Sequence, residues 1–175
     1  MARSLRCFRQ PFYQVLVLDL TPKKIECEHS AIEQVLLPLL RGRLFHLTKE
    51  DAFEDICRDG SVSCNRQPPI SWAPRQLENG YGRKRGWVSL YDLSDPTQLE
   101  IKEALIYHWF LRSIRKENPL VCLIIAEAVW PSLISWKRAS REVGGKEFFI
   151  PFVEAWYPGD LPLRLVTDSL MFTCR

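Results

Sequence analysis

Residues 146–159 read KEFFIPFVEAWYPG, a run that opens on Lys146-Glu147 and then sets one carboxylate, Glu154, among aromatic and aliphatic residues. The alternation predicts a strand that ends at the Tyr157-Pro158-Gly159-Asp160 turn. Side chains on a strand point to opposite faces in turn, so Glu154 shares a face with Phe148, Ile150, Phe152 and Trp156, while Glu147 falls on the other. A lone carboxylate in such company is costly to bury unless it is paired or lines a cleft. Glu154 is therefore either the partner of a nearby cation or a working group in a pocket.

The rest of the chain predicts an α+β fold. Residues 12–20 (FYQVLVLDL) read as an early strand that stops at Thr21-Pro22. Ser30-Ala31-Ile32-Glu33 has the form of a capping box opening an apolar helix that Pro38 bends or ends before Gly42. Residues 43–48 (RLFHLT) predict a short strand. Thr48 with Asp51 then marks a helix carrying Phe53, Ile56 and Cys57 on one face and stopping at Gly60. Residues 61–86 read as a long basic loop, punctuated by Pro68-Pro69, Pro74, Gly80, Gly82 and Gly86. Loops longer than about 12–15 residues inside a domain are often functional. Trp87–Tyr91 is a predicted strand, and Pro96 stands at the first position of a helix running to Asn118-Pro119. The nearly unbroken apolar run of residues 120–126 predicts a strand buried on both faces. Pro131 opens a short helix that ends at Gly144-Gly145, and residues 163–173 supply a last strand.

At 175 residues and 46% hydrophobic, the chain has the material for one domain spanning 1–175. Its net charge of +3 permits an acidic ligand or nucleic acid without requiring one. No apolar run approaches the roughly 20 residues of a membrane span, and no signal-peptide apolar core follows the N-terminus, so a cytoplasmic location without membrane contact is expected. The six cysteines are scattered, with no Cys-x-x-Cys spacing and no histidine placed to complete a metal site. They are expected to be reduced thiols, mostly filling the core, and no metal is expected.

Three strand segments carry candidate chemistry: His46 in LFHLT, Ser89 and Tyr91 in WVSLY, and Glu154 in IPFVEAW. In this order of motifs, residues 43–173 resemble the ADP-ribosyltransferase superfamily, and most closely the DarT-type toxins that ADP-ribosylate DNA. RLFHLTKEDAFEDICRDGSV is similar to that family's His-x-Thr opening, with its short helix, isoleucine and closing glycine. GWVSLYDLSDP resembles its Val-x-Leu-Tyr strand, and PFVEAWYPGDLPLRLV resembles the segment holding its catalytic glutamate.

The resemblance implies two packed, mainly antiparallel sheets around an NAD⁺ cleft with flanking helices, and residues 1–42 form an N-terminal strand and helix extension to which it assigns no role. It implies that His46 and Thr48 belong to the cofactor-binding set, with His46 on a ribose hydroxyl. Tyr91 would offer a ring to nicotinamide, with Ser89 beside it. Glu154 would bind the ribose 2′-hydroxyl and favour the positive charge that develops as the glycosidic bond breaks. The expected activity is mono-ADP-ribosyl transfer to nucleic acid in a bacterial or phage toxin or defence effector, with an antitoxin as a further partner. Trp72, Arg75, Arg83, Lys84 and Arg85 are the candidates for acceptor or phosphate contacts, since cations meet phosphates and a tryptophan can stack on a base.

One departure stands out. DarT-type toxins carry a catalytic arginine after the Val-x-Leu-Tyr strand, where this chain reads Asp92-Leu93-Ser94-Asp95. Either another arginine, such as Arg75 or Arg83, supplies the charge, or the acceptor differs from thymidine in DNA. Plainer readings stand beside the catalytic ones: His46 and Tyr91 also suit ordinary packing, and the Arg83-Lys84-Arg85 run suits a solvated loop. The competing functions are a non-enzymatic binding module on the same fold, a protein-targeting ADP-ribosyltransferase and an RNA 2′-phosphotransferase.

Overall fold

The apolar run at Leu120–Ile125 lies inside a seven-stranded sheet, with Val121, Cys122 and Leu123 wholly shielded from solvent. The computed structural model describes residues 20–64, 80–107, 118–143 and 149–175. The predicted strand at 12–19, Trp72 and Arg75 of the basic stretch, the helix end near Asn118, the Gly144-Gly145 stop and Glu147 with Phe148 fall wholly or partly outside them.

Along the chain the elements are β1 (Lys23–Cys27), α1 (Ile32–Leu40), β2 (Leu44–Lys49), α2 (Glu50–Asp59), β3 (Ser61–Val62), α3 (Tyr81–Arg85), β4 (Trp87–Asp92) and α4 (Gln98–Tyr107). They continue with β5 (Leu120–Ile125), β6 (Ile134–Ser135), α5 (Trp136–Glu142), β7 (Glu154–Pro158), β8 (Leu161–Pro162) and β9 (Val166–Cys174). Short 3₁₀ turns cover His29–Ala31, Glu127–Ser132 and Leu163–Leu165. The sheet order is β1-β9-β5-β2-β4-β7-β6, and β3 and β8 form a separate two-stranded ribbon. Only the β1–β9 pair is parallel among these ladders. Among the described residues the architecture is α+β, with a mainly antiparallel open sheet and flanking helices.

Strand alternation sends two apolar layers to opposite faces. On one face Phe45, Cys122 and Phe172 meet Leu36 and Leu40 of α1 and Ile101 of α4. On the other, Leu44, Leu90 and Leu123 meet Phe53 and Ile56 of α2. The N-terminal β1 and α1 are thus built into the sheet and its core. Cys57, expected on the buried face of α2, is exposed, because Phe53 and Ile56 alone fill the contact.

Several local expectations are corrected. α1 ends at Leu40, before Gly42 as expected and with Pro38 in its last turn, but no side-chain cap stands at the start of α1 or α2. The capping box falls instead on α4, where the Thr97 amide donates to Glu100 Oε2 (2.7 Å) and the Glu100 amide to Thr97 Oγ1 (3.3 Å). Pro131 sits inside a 3₁₀ turn, and the helix after it begins only at Trp136. Arg83, Lys84 and Arg85 belong to α3, a single helical turn closed by Gly86 at φ 66°, and not to a loop.

Candidate active site

The three motif strands are neighbours in the sheet, β2-β4-β7, so residues 46, 89, 91 and 154 are gathered by strand pairing. In the β4–β7 ladder Tyr91 stands opposite Glu154 and Ser89 opposite Trp156, which puts all four on one face. β2 and β4 pair only at Leu44↔Asp92 and Phe45↔Tyr91, after which their ladder ends. His46 spans the parting: its Nδ1 lies 2.9 Å from the carbonyl oxygen of Ser89. A carbonyl only accepts, so the Nδ1–H donates and the neutral ring keeps Nε2 as an acceptor.

Alternation along β2 sends His46 toward Leu44 and its partner Leu123, the face opposite Phe45, Tyr91 and Glu154. His46 and Glu154 therefore reach Ser89 from two sides, one at its carbonyl and the other at its hydroxyl. Thr48 follows His46 on the same face of β2, half-buried and opposite Val121.

Glu154 does not sit midway along a strand. β7 begins at Glu154, and residues 151–153 form a turn in which Phe152 has φ 68°, a conformation that costs a non-glycine residue. Two reciprocal bonds hold the turn: the Ile150 amide donates to Glu154 Oε2 (2.6 Å), and the Glu154 amide donates to the Ile150 carbonyl (3.2 Å). The Phe152 ring packs edge-on to Trp136 with centroids 4.9 Å apart. This overturns the expected shared face of Ile150, Phe152 and Glu154, since strand alternation does not extend into the turn. Glu154 shares its face with Trp156 within β7.

The other carboxylate oxygen, Oε1, accepts a short hydrogen bond from Ser89 Oγ. Burial raises the Glu154 pKa, and the bonds from Ser89, Ile150 and the nearby Trp156 indole oppose that rise. The indole N–H is buried, and no acceptor meets it with full hydrogen-bond geometry among the described residues. Tyr91 has its pKa pushed well up, first by burial and then by the charge of Glu154. Its ring stacks on Phe45 at 5.3 Å, so one of its two faces is already covered. Burial lowers the His46 pKa against the opposing bond to Ser89, which favours the neutral imidazole.

Glu154 borders a cavity of about 160 Å³ shared with Asp92, Asp95, Glu100, Trp136 and Lys137. Three further carboxylates against one ammonium make this a setting that favours positive charge. Its volume is below the roughly 300 Å³ at which small-ligand pockets begin, so it admits a ring or a sugar and no larger group. Asp92, where the resembled family has arginine, is tied into a turn in which its Oδ1 accepts from the Ser94 amide and hydroxyl. No group of side chains suited to a metal ion occurs among the described residues.

Behind the site, Trp156 is wholly buried with its ring centroid 4.6 Å from that of Tyr81, and Gly82 lies flat against the indole. The Tyr81 hydroxyl donates to Glu142 Oε2 at 2.6 Å, joining α3 to α5. Arg85 rests 3.7 Å from the Tyr81 ring centroid and donates to the Tyr81 carbonyl at 3.0 Å, so it is spent on packing. Sequence reasoning missed Trp136, Lys137, Tyr81 and the Ile150 amide. Gly82, a glycine within a charged turn, was the one visible sign of a close approach.

Comparison with protein-family models, with curated proteins and with solved structures finds no match to this chain. Among the described residues no helix is long and apolar enough to cross a membrane.

Proposed function

We propose that this protein is a mono-ADP-ribosyltransferase that cleaves NAD⁺ and transfers ADP-ribose to a nucleic acid. The observation that carries the reading is the part-buried Glu154 carboxylate, held by Ser89, opposite Tyr91 and on the strand next but one to that of His46. Three motifs scattered through the sequence meet on three adjacent strands.

The residues fit parts of NAD⁺ unequally. The carboxylate-lined cavity suits the ribose end and Tyr91, opposite Glu154 in the ladder, suits nicotinamide, while His46 lies on the other face of the sheet and acts on this site only through the Ser89 carbonyl, in place of the ribose contact expected of it. A pyrophosphate contact falls to Arg83 or Lys84 on α3, or to Arg75. When bound, NAD⁺ supplies a carbon–nitrogen bond that breaks with the electron pair leaving on nicotinamide. Glu154 stabilises the charge developing at the ribose carbon, and its fixed position means that little reorganisation is needed. Its raised pKa suits it to take the proton that the acceptor gives up as its oxygen or nitrogen bonds to that carbon. The setting that follows is a toxin or defence effector of bacterial or phage origin, acting in the cytoplasm and held in check by an antitoxin.

A second reading, a non-enzymatic binding module, draws on the fact that both Glu154 oxygens and His46 Nδ1 already have internal partners. Incubation with labelled NAD⁺ and separate pools of single-stranded DNA, RNA and protein, with nicotinamide release followed in parallel, tests both. Label on nucleic acid supports the transferase, and label on protein moves the acceptor. NAD⁺ binding without nicotinamide release in any pool favours the module.

A further inference from the structure

A second cavity lies where α1 hands over to β2. The chain reverses there through Arg41-Gly42-Arg43, with Gly42 at φ 77°. The Gly42 amide donates to the Leu93 carbonyl (2.7 Å) and the Leu93 amide donates back to the Arg43 carbonyl (2.9 Å), which pins the turn. Arg41 and Arg43 flank a cavity of about 360 Å³ whose wall is built from Leu44, Ile125 and Trp130, with Glu127 and Thr167 on the rim.

Three properties of this cavity point to one kind of ligand. First, both arginine side chains are exposed and neither makes a hydrogen bond or a close ion pair among the described residues, although the charge of Asp168 reaches Arg43, whereas Arg58, Arg138 and Arg175 are each bonded to a carboxylate. Two guanidiniums face Glu127 on the rim and Asp168 close by, and Asp168 is already bonded to Lys23, so the rim stays positive. Second, Trp130 is half-buried with its Nε1 shielded from solvent and unpartnered among the described residues. The part of the indole that solvent reaches is therefore hydrocarbon, a surface for stacking and not for hydrogen bonding. Third, the volume exceeds the roughly 300 Å³ of the smaller ligand pockets. Arginine reads phosphate through its planar fork, and a base stacks on an aromatic ring with little regard to its identity.

We propose that this cavity binds a 5′-nucleotide unit, its phosphate between Arg41 and Arg43 and its base against Trp130, either as the free nucleotide or as part of a single strand. The proposal goes beyond the transferase reading and needs no NAD⁺ for its test, so either can fail alone.

The experiment titrates the full chain, without NAD⁺, with adenosine 5′-monophosphate, with adenosine, and with a 5′-phosphorylated labelled oligodeoxynucleotide read by anisotropy. The expected result is binding of the monophosphate or the oligonucleotide, or both, in preference to adenosine. That affinity should fall about a hundredfold in Arg41→Ala/Arg43→Ala, roughly tenfold for each charge-assisted hydrogen bond to phosphate that the substitutions remove. Both side chains are exposed, so circular dichroism should show an unchanged fold. Binding of the monophosphate alone assigns the site to free nucleotides, and binding of the oligonucleotide alone assigns it to a strand. Trp130→Leu should weaken either by several-fold, and Arg141→Ala, an exposed arginine on α5, should leave it unchanged. Binding of neither phosphate probe, equal binding of adenosine, or wild-type affinity in the double variant would overturn the proposal.

Discussion

The hydroxyl of Ser89 and the carboxylate of Glu154 meet across β4 and β7, 65 residues apart in the chain. Ser89 also offers its carbonyl to His46, so one residue ties the third strand of the motif set to the first. The carboxylate is thus oriented by a strand partner on one side and by the Ile150 turn on the other, and neither contact depends on a ligand.

Replacing Glu154 by glutamine should abolish transfer while keeping the fold. The amide oxygen can accept from the Ile150 amide, and the amide nitrogen can donate to Ser89 Oγ once that hydroxyl turns to accept. Charge that acts on the transition state is lost, so turnover should fall on the order of 10²–10³-fold with NAD⁺ affinity largely kept. Single-turnover rates beside calorimetric NAD⁺ titrations check this. An active glutamine variant would remove the catalytic role.

Ser89→Ala should shift the acid limb of the pH–rate profile to higher pH. The Ser89 bond opposes the rise that burial imposes on the Glu154 pKa, so losing it lets that pKa climb further. A higher pH is then needed to reach the same fraction of carboxylate. A profile superimposable on that of the wild type would show that Glu154 ionisation does not govern the rate.

Fold stability should fall as pH drops through the ordinary histidine value near 6.5, down to the lower value of the folded state. His46 is held neutral in the fold, so the unfolded chain binds the proton first and is favoured by acid. His46→Gln should flatten that limb of the curve. Urea denaturation of both proteins across this pH range supplies the measurement, and equal slopes would contradict it.

Within α3 the basic residues should separate. Arg85→Ala removes the guanidinium from the Tyr81 ring and its bond to the Tyr81 carbonyl, at a cost of about 1–2 kcal/mol. Lys84→Ala, at an exposed position, should stay within about 0.5 kcal/mol. Denaturant midpoints of the two variants decide it, and equal losses would refute the separation.

Gly82→Ala would place a Cβ 2.1 Å from Trp156 Cδ1, with the indole fully buried and unable to yield. The overpacking should cost roughly 1–3 kcal/mol or more and disturb Glu154 through β7. Near-ultraviolet circular dichroism, thermal melting and turnover would all move together. A neutral substitution would show that α3 can slide over the indole.

How much of this was legible depended on how local the determinant is. β2, β4 and β5 announce themselves through runs of apolar and β-branched residues, and the order of motifs on them is written in the chain. The Pro151-Phe152-Val153 turn looked like strand because its residues are apolar. What makes it a turn is the carboxylate of Glu154 reaching back to Ile150, a contact that composition does not encode. β1 was missed for the opposite reason. Lys23-Lys24-Ile25-Glu26-Cys27 is charged, as suits the last of the described strands in the sheet order, and its pairing is supported by Lys23–Asp168 and Glu26–Arg175 ion pairs with distant β9 and the residue after it. α3 is a single turn, too short for periodicity to reveal.

The pairing of β1 with β9 also governs how the chain can be born. Among the described residues Lys23–Cys27 pairs with Leu170–Cys174 alone, and Leu20 holds its place through the Ser169 hydroxyl. β5 too keeps one edge open until β9 arrives. A ribosome adding roughly 5–20 residues per second leaves the apolar Leu120–Ile125 strand half-paired for seconds before that partner emerges. A nascent chain stalled in that interval exposes an adhesive strand edge, so the yield of this sheet in a cell should depend on what shields that edge until β9 has emerged.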